Sequence, residues 1–274
     1  MQQTEGIRGK GILQSQSATV LIEQDGPIAW IKINRPAVMN ALNYETLLAL
    51  EDLTRQIRFH RQVQLVVITG VGDKAFSTGA DLKERATFSP TQVQQYIYTI
   101  RELMNQIETL PQPVIALLNG MALGGGTELA LACDLRIAAE GSQMGLTETK
   151  LAIIPGAGGT QRLSRLIGAA RAKELIFTAR TISAQEAYNL GLVNRVVPGH
   201  ELHQALYELA ETILSNGPVA LQQAKYAINF GMEAELRTGL ALETKSYEVC
   251  IPTEDRREAL QAFREKRKPQ FQGR

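Results

Sequence analysis

The chain has 274 residues, and its 29 Lys plus Arg against 28 Asp plus Glu leave a formal net charge of +1. That balance excludes a polybasic coat for nucleic acid or for an anionic membrane surface. Hydrophobic residues make up 44% and charged residues 21%, ordinary globular usage with enough apolar material for a sizeable core, and no apolar run approaches the about 18 residues of a membrane span.

The first seventeen residues, MQQTEGIRGKGILQSQS, are polar and include Glu5, so they read as a loose arm and not as a signal or transit leader. Next, TVLIEQD and IAWIKIN alternate around Gly-Pro, which predicts a β-hairpin over Thr19–Asp25 and Ile28–Asn34. Asn43 caps a predicted helix over Tyr44–Arg58, with Leu47, Leu48, Leu50, Leu53 and Ile57 on its apolar face. QLVVITG is a short buried strand ending at Gly70, and DKAFSTGAD is a turn-rich loop. Ser89-Pro90 starts a second helix with a stripe of Val93, Ile97, Ile100, Met104 and Ile107. PVIALLNG and LRIAAE are further strands, separated by a glycine turn and a short helix, and LAIIPGAGGTQRLSRLIG is a loop leading into a helix.

Strand, loop and helix thus repeat up to about Val197, which predicts an α/β fold with largely parallel pairing and a spiral of similar turns. After Pro198 the strand signals stop, and Glu201–Asn216, Pro218–Phe230, Glu233–Tyr247 and Asp255–Lys266 read as helices. Cys133 and Cys250 have no paired spacing and suit reduced thiols, which points to a cytoplasmic protein.

Gly120 to Gly125 has the outer frame of a phosphate loop, but Gly126 stands where the motif needs Lys. GAGGTQ from Gly156 follows Pro155 and ends in Gln161, so the dinucleotide fingerprint fails as well. A third use of glycine remains. Main-chain N–H groups at a helix start lack intrahelical partners, and glycine lets a ligand oxygen approach them. Gly79-Ala80 and Gly124-Gly125 are two such turns, and together they predict an oxyanion hole; close packing of strand on helix is the structural alternative.

Two acids accompany these turns. Glu128 lies three residues after Gly125 in apolar surroundings, and Glu148 precedes a further glycine turn. Structural readings exist for each: Glu128 as a cap of its own helix, Glu148 as a partner of Lys150 or Arg162. As a pair, one can take a proton from water while the other gives one to carbon. His200 and His203 have HxxH spacing without an acidic ligand, so a surface location is expected and no metal site is predicted. No G-x-S-x-G is present, which removes a serine nucleophile of that type.

FSTGADLKE, GMALGGGTELALACDLRIAAE and GLTETKLAIIPGAGGTQRL, followed by ISAQEAYNLGLVNRVVP and DRREALQAFREKRKPQF, resemble the crotonase (enoyl-CoA hydratase/isomerase) family over nearly the whole chain. The resemblance implies a crotonase-like spiral of ββα turns over residues 1–197, carrying the CoA site, and an all-helical trimerisation region over 198–274. It implies trimers that pair into hexamers, an acyl-CoA substrate, and no metal or redox cofactor. It assigns the oxyanion hole to the amides of Ala80 and Gly125, and catalysis to Glu128 and Glu148. Both acids are present, which favours the hydratase branch over isomerases. Thr78, Ala80, Asp81, Leu82, Lys83 and Gly125 match the CoA and substrate site, and Phe263 and Lys266 match C-terminal residues that reach the nucleotide, often of a neighbouring subunit. Ala37 stands where some hydratases carry a Lys near the CoA phosphates, so phosphate binding must use other cations.

ADLKERA and the Glu148 segment further resemble methylglutaconyl-CoA hydratases, for whose distal carboxylate Arg85 is a candidate partner; an exposed, solvated arginine is the alternative. Isomerase and decarboxylase reactions are alternatives within the enzyme class. Some relatives bind RNA through a lysine-rich helix, but ETLLALEDLTRQIRFHRQ has no lysine and several acids, so no nucleic-acid partner is expected.

Overall fold

The computed structural model describes residues 13–274. The hairpin is β1 (Val20–Asp25) and β2 (Ile28–Ile33), and α1 (Tyr44–Arg58) follows. Three turns then repeat one plan of long strand, short strand and helix. The first is β3 (Leu65–Gly70), β4 (Ala75–Ser77), α2 (Leu82–Arg85) and α3 (Pro90–Glu108). The second is β5 (Val114–Leu118), β6 (Met121–Leu123) and α4 (Gly125–Ala132). The third is β7 (Leu135–Ala139), β8 (Gln143–Gly145), a 3₁₀ turn over Glu148–Leu151, α5 (Gly159–Ile167) and α6 (Ala169–Thr178). β9 (Ile182–Ser183), α7 (Ala184–Asn189) and β10 (Arg195–Val197) complete the sheets. The helices α8 (Leu202–Leu214), α9 (Pro218–Gly231), α10 (Leu236–Cys250) and α11 (Glu254–Glu265) end the chain.

The long strands form a six-stranded sheet in the order β1-β2-β3-β5-β7-β10, and the short strands form a second sheet, β4-β6-β8-β9. Pairing is parallel except for β1 with β2 and β8 with β9. Each turn therefore advances one position along both sheets, which is a spiral of ββα units. Period-two alternation sorts the side chains of the larger sheet. Val66 and Ile68 face the main core with α1 and α3, while Leu65 and Val67 face a second core. The second core also takes Trp30 and Ile115, and Leu202 and Leu206 of α8 cover it.

The helix starts follow their capping chemistry. Asn43 accepts from the Thr46 amide at 3.0 Å, and Ser89 with Gln92 forms a reciprocal capping box. Leu48 departs from the expected apolar face of α1: it is 45% exposed, one position off the stripe of Leu47, Leu50, Leu53 and Ile57. On α3, Tyr96 and Leu103 join the buried stripe and Val93 lies at its edge. The short strands β4 and β6 fall where turns were expected, and β8 lies in a stretch given no element, because three residues are too few to show alternation. The expected N-terminal arm lies outside the described residues over 1–12. Residues 13–17 are tied down: Leu13 is buried, Gln14 exchanges hydrogen bonds with Gln56, and Ser17 donates to Glu45 at 2.6 Å.

The second sheet packs α4 directly on β4. A side chain at Gly126 would run into the Ser77 main chain on that strand. Gly126→Ala is therefore expected to cost about 1–3 kcal/mol or more through overpacking, read as a fall of several degrees in Tm by differential scanning calorimetry; an unchanged Tm would contradict this packing.

Candidate active site

The two predicted turns sit at the ends of adjacent parallel strands, β4 and β6. The first is held from behind by the segment before α1. Leu42 donates to the Gly79 carbonyl at 2.7 Å, and the Asp81 amide donates to the Leu42 carbonyl at 3.0 Å. In an extended chain successive amides point to opposite sides, so the Ala80 N–H faces away from Leu42. Its neighbour on that side is the start of α4: a Cβ added at Gly125 would lie 3.6 Å from Ala80 N and 3.4 Å from Gly79 Cα. Among the described residues, neither Ala80 N nor Gly125 N donates to a protein acceptor. Gly79, at φ +79°, is glycine for steric reasons as well, since a Cβ there would stand 2.5 Å from Gly125 N. Two uncommitted amides thus lie on adjoining turns.

Glu128, one helical turn into α4, is 2% exposed. Its Oε1 accepts from Ala157 N and Gly159 N, each at 2.8 Å. It caps α5 and the glycine loop before it, and not its own helix. Burial pushes its carboxyl above the usual range, opposed by those two amides and by the charge of Arg162. Arg162 in turn holds the loop: it donates to the Ala157 carbonyl at 3.0 Å and forms a two-pronged pair with Glu108 at 2.7 and 3.1 Å.

Glu148 opens the 3₁₀ turn after β8 and has a different environment. Its Oε2 is buried with no partner, and its Oε1 would stand 3.1 Å from a Cβ at Gly124, whose φ of +51° also favours glycine. Burial and the nearby charge of Glu128 push the Glu148 carboxyl up to about 7. Neither expected partner is taken: Lys150 is exposed, and Arg162 is committed to Glu108.

The remaining predicted residues divide into two groups. Thr78 is half-buried, with its amide on the Met39 carbonyl at 3.2 Å. Asp81 caps α2 through the amides of Lys83 and Glu84. Leu82 and Lys83 are exposed at the edge of the site. Phe263 and Lys266 are not brought to this cleft within the chain. Phe263 is 84% exposed, and α11 bonds the C-terminal tail through Asp255 and Glu258. His200 is exposed and His203 stacks on Trp30 at 5.3 Å, so HxxH builds no common site.

Sequence reading missed the supports. Arg35 pairs with Asp81 at 2.9 Å, which anchors the residue after Ala80. Asn40, buried with φ +55°, donates to the carbonyls of Val71 and Ala75 and, through its own carbonyl, accepts from Ser77 Oγ at 2.8 Å. The Asn-Arg-Pro…Asn-Ala-Leu spacing was the available signal, since polar residues inside an apolar loop need main-chain partners.

Comparison with known proteins gives this geometry a context. The sequence model of the family described as enoyl-CoA hydratase/isomerase matches residues 23–274. This chain belongs to the enoyl-CoA hydratase/isomerase family. It is 52% identical to an enoyl-CoA hydratase from Bacillus anthracis of known structure, with a TM-score of 0.92 over 93% of this chain and all of that one. It is 44% identical to the short-chain-enoyl-CoA hydratase of Clostridium acetobutylicum, over 91% of this chain and 95% of the relative. It is 46% identical to the human mitochondrial methylglutaconyl-CoA hydratase, over 92% of this chain and 76% of the relative. The spiral described above is the crotonase fold.

The raised Glu148 carboxyl carries a stability consequence. Between its ordinary value of 4.5 and its folded value of about 7, the folded chain holds a proton that the unfolded chain has lost. Stability from this group therefore falls as pH rises through that window, and the full penalty is present above it. Glu148→Gln is expected to raise Tm at pH 8, with the gain shrinking as pH is lowered toward 4.5. Equal effects at both pH values would show that the carboxylate carries no such penalty.

Proposed function

We propose that this chain adds water reversibly across the C2=C3 bond of a 2-enoyl-CoA, giving a 3-hydroxyacyl-CoA. The observation that supports this reading is the placement of two uncommitted amides on adjoining turns, beside two carboxylates of unlike environment. The thioester oxygen would accept from Ala80 N and Gly125 N, which polarises C3 and stabilises the enolate-like transition state. A single donor of this kind is worth about 3–4 kcal/mol of barrier. Glu128, kept available as a base by its two amide donors, would take a proton from water as it attacks C3. Glu148, whose raised carboxyl favours the acid form, would give a proton to C2. Burial raises both carboxyls, but only Glu128 has amide donors opposing it, and such a difference divides the roles in this way.

The reaction leaves the substrate's oxidation level unchanged, so it calls for no electron carrier. Thr78 and the Ala80–Lys83 edge would hold the CoA moiety beside the oxyanion amides. Phe263 and Lys266 fit a role at the nucleotide end of a neighbouring subunit's site. Self-association is supported by the helical tail, which exposes Ile228, Met232, Leu236, Leu240, Tyr247 and Phe263, an apolar surface suited to a subunit interface. Trimers paired into hexamers are the proposed assembly. A cytoplasmic location fits the two free cysteines, one of them buried. Among the described residues no helix is long and apolar enough to cross a membrane.

Steady-state hydration of crotonyl-CoA tests the reading. Glu128→Gln and Glu148→Gln are each expected to lower kcat by about 10²–10⁴-fold without loss of the folded CD spectrum. Near-native turnover in either variant would remove that residue from the mechanism. For the native enzyme, kcat/KM for hydration is expected to fall as pH rises above about 7, where Glu148 loses its proton. A flat profile from about pH 6 to 9 would place the donated proton on another group.

A further inference from the structure

Arg162 and Glu108 each carry a charge at the helix end that disfavours it. Arg162 is the fourth residue of α5, near the positive end of that helix, and Glu108 is the last residue of α3, at its negative end. Their contacts explain these places. Arg162 Nε donates to Glu108 Oε1 at 3.1 Å and Nη2 to Oε2 at 2.7 Å. Nη2 also donates to Asn105 Oδ1, and Nη1 to the Ala157 carbonyl, each at 3.0 Å. Four of the five guanidinium donors are used in this way, and the Arg162 side chain is only 12% exposed.

The clamp closes on the loop that serves Glu128. Ala157 N and Gly159 N donate to Glu128 Oε1, and Gly158 between them has φ +103°. Arg162 Nη1 occupies the place a Cβ at Gly158 would take. The guanidinium therefore holds Ala157 by its carbonyl and packs against Gly158, while the amides on either side of that packing reach the carboxylate. Glycine-rich chain has little conformational preference of its own, so aiming both amides at one oxygen needs a tie from outside the loop.

The charge of the clamp bears on Glu128 as well. The titratable groups facing Glu128 from neighbouring elements are Arg162 of α5, Glu148 of the 3₁₀ turn and the Tyr96 phenol of α3, while β4 and β6 carry none. Tyr96 donates its hydroxyl to the Leu42 carbonyl at 2.7 Å, and burial keeps it protonated. Arg162 is the cation of this set, and it opposes the upward push of burial on the Glu128 carboxyl.

We propose that Arg162, held by Glu108 and Asn105, is a positioning residue for the hydration: it acts through Glu128, fixing two amides on Oε1 and keeping a positive charge near that carboxylate, and not on the substrate. The inference rests on the hydratase reading.

The test follows hydration of crotonyl-CoA by the native chain, Arg162→Met, Arg162→Lys and, as a control from the exposed side of α5, Arg165→Met. Arg162→Met is expected to lower kcat about 10- to 100-fold, the cost of a misplaced reacting group, with KM within about threefold of native. Glu128 must be ionised to accept a proton, and loss of a nearby cation favours its acid form. The acid limb of the kcat/KM profile is therefore expected to move to higher pH. Arg162→Lys keeps the charge without the fork, so kcat falls while the acid limb stays near its native place; this variant carries the test if Arg162→Met does not fold by CD. Glu108→Gln is expected to lower kcat in the native background and to add no more than about a twofold loss in Arg162→Met, because it acts through Arg162. Arg165→Met is expected to match the native chain. A kcat within about twofold of native in Arg162→Met, or in Arg162→Lys where that variant carries the test, overturns the proposal. So does a loss in Arg162→Met with an unmoved acid limb, which would mark a purely structural role, or a loss confined to KM, which would place Arg162 at the substrate. A native chain that does not hydrate crotonyl-CoA overturns the hydratase reading itself, before any variant is compared.

Discussion

The site depends on one backbone contact. The Gly79-Ala80 turn and the first residue of α4 touch main chain to main chain, with no side chain between them. That contact is possible because β4 and β6 are parallel neighbours in the second sheet, so their C-terminal ends emerge side by side. Small residues at both turns then let the main chains approach, and the ladder from Leu42 takes up the Gly79 carbonyl and the Asp81 amide while leaving the Ala80 amide uncommitted. Under the proposed function, an oxyanion hole made of these main-chain donors would be preorganised by the fold, so no donor would have to be reoriented as charge develops.

The two glutamates show how one carboxylate type acquires two characters. Both are drawn away from water. Glu128 receives two amides from the loop before α5, and that loop is itself clamped by Arg162 to Glu108 and Asn105. Glu148 receives no such donors at Oε2 and feels the charge of its neighbour. The glycine loop at residues 156–159, which resembles a nucleotide-binding turn in composition, acts here on a side chain of the protein. Its amides face a carboxylate and not a phosphate, which is the same electrostatic preference at a helix start.

Much of the architecture was legible in the chain. Hydrophobic periodicity and the caps Asn43 and Ser89 located the hairpin, α1 and α3 with little error, because those signals are local. The short strands were not legible, since three residues carry no period, and yet they place both amide-bearing turns. The acids and glycines were recognisable as a set through their resemblance to a known family. Their partners were not: Arg35 lies 46 residues from Asp81, and Glu108 lies 54 from Arg162.

Residue order alone therefore determined the longer elements and their alternation, and offered the candidate reactive groups, because these depend on near neighbours or on recognisable motifs. Tertiary structure alone decided which amides remain uncommitted, and which acid is held by donors and which is left without them. Those properties are set by distances between segments far apart in the chain and by the exclusion of water between them, and neither quantity is written in local sequence.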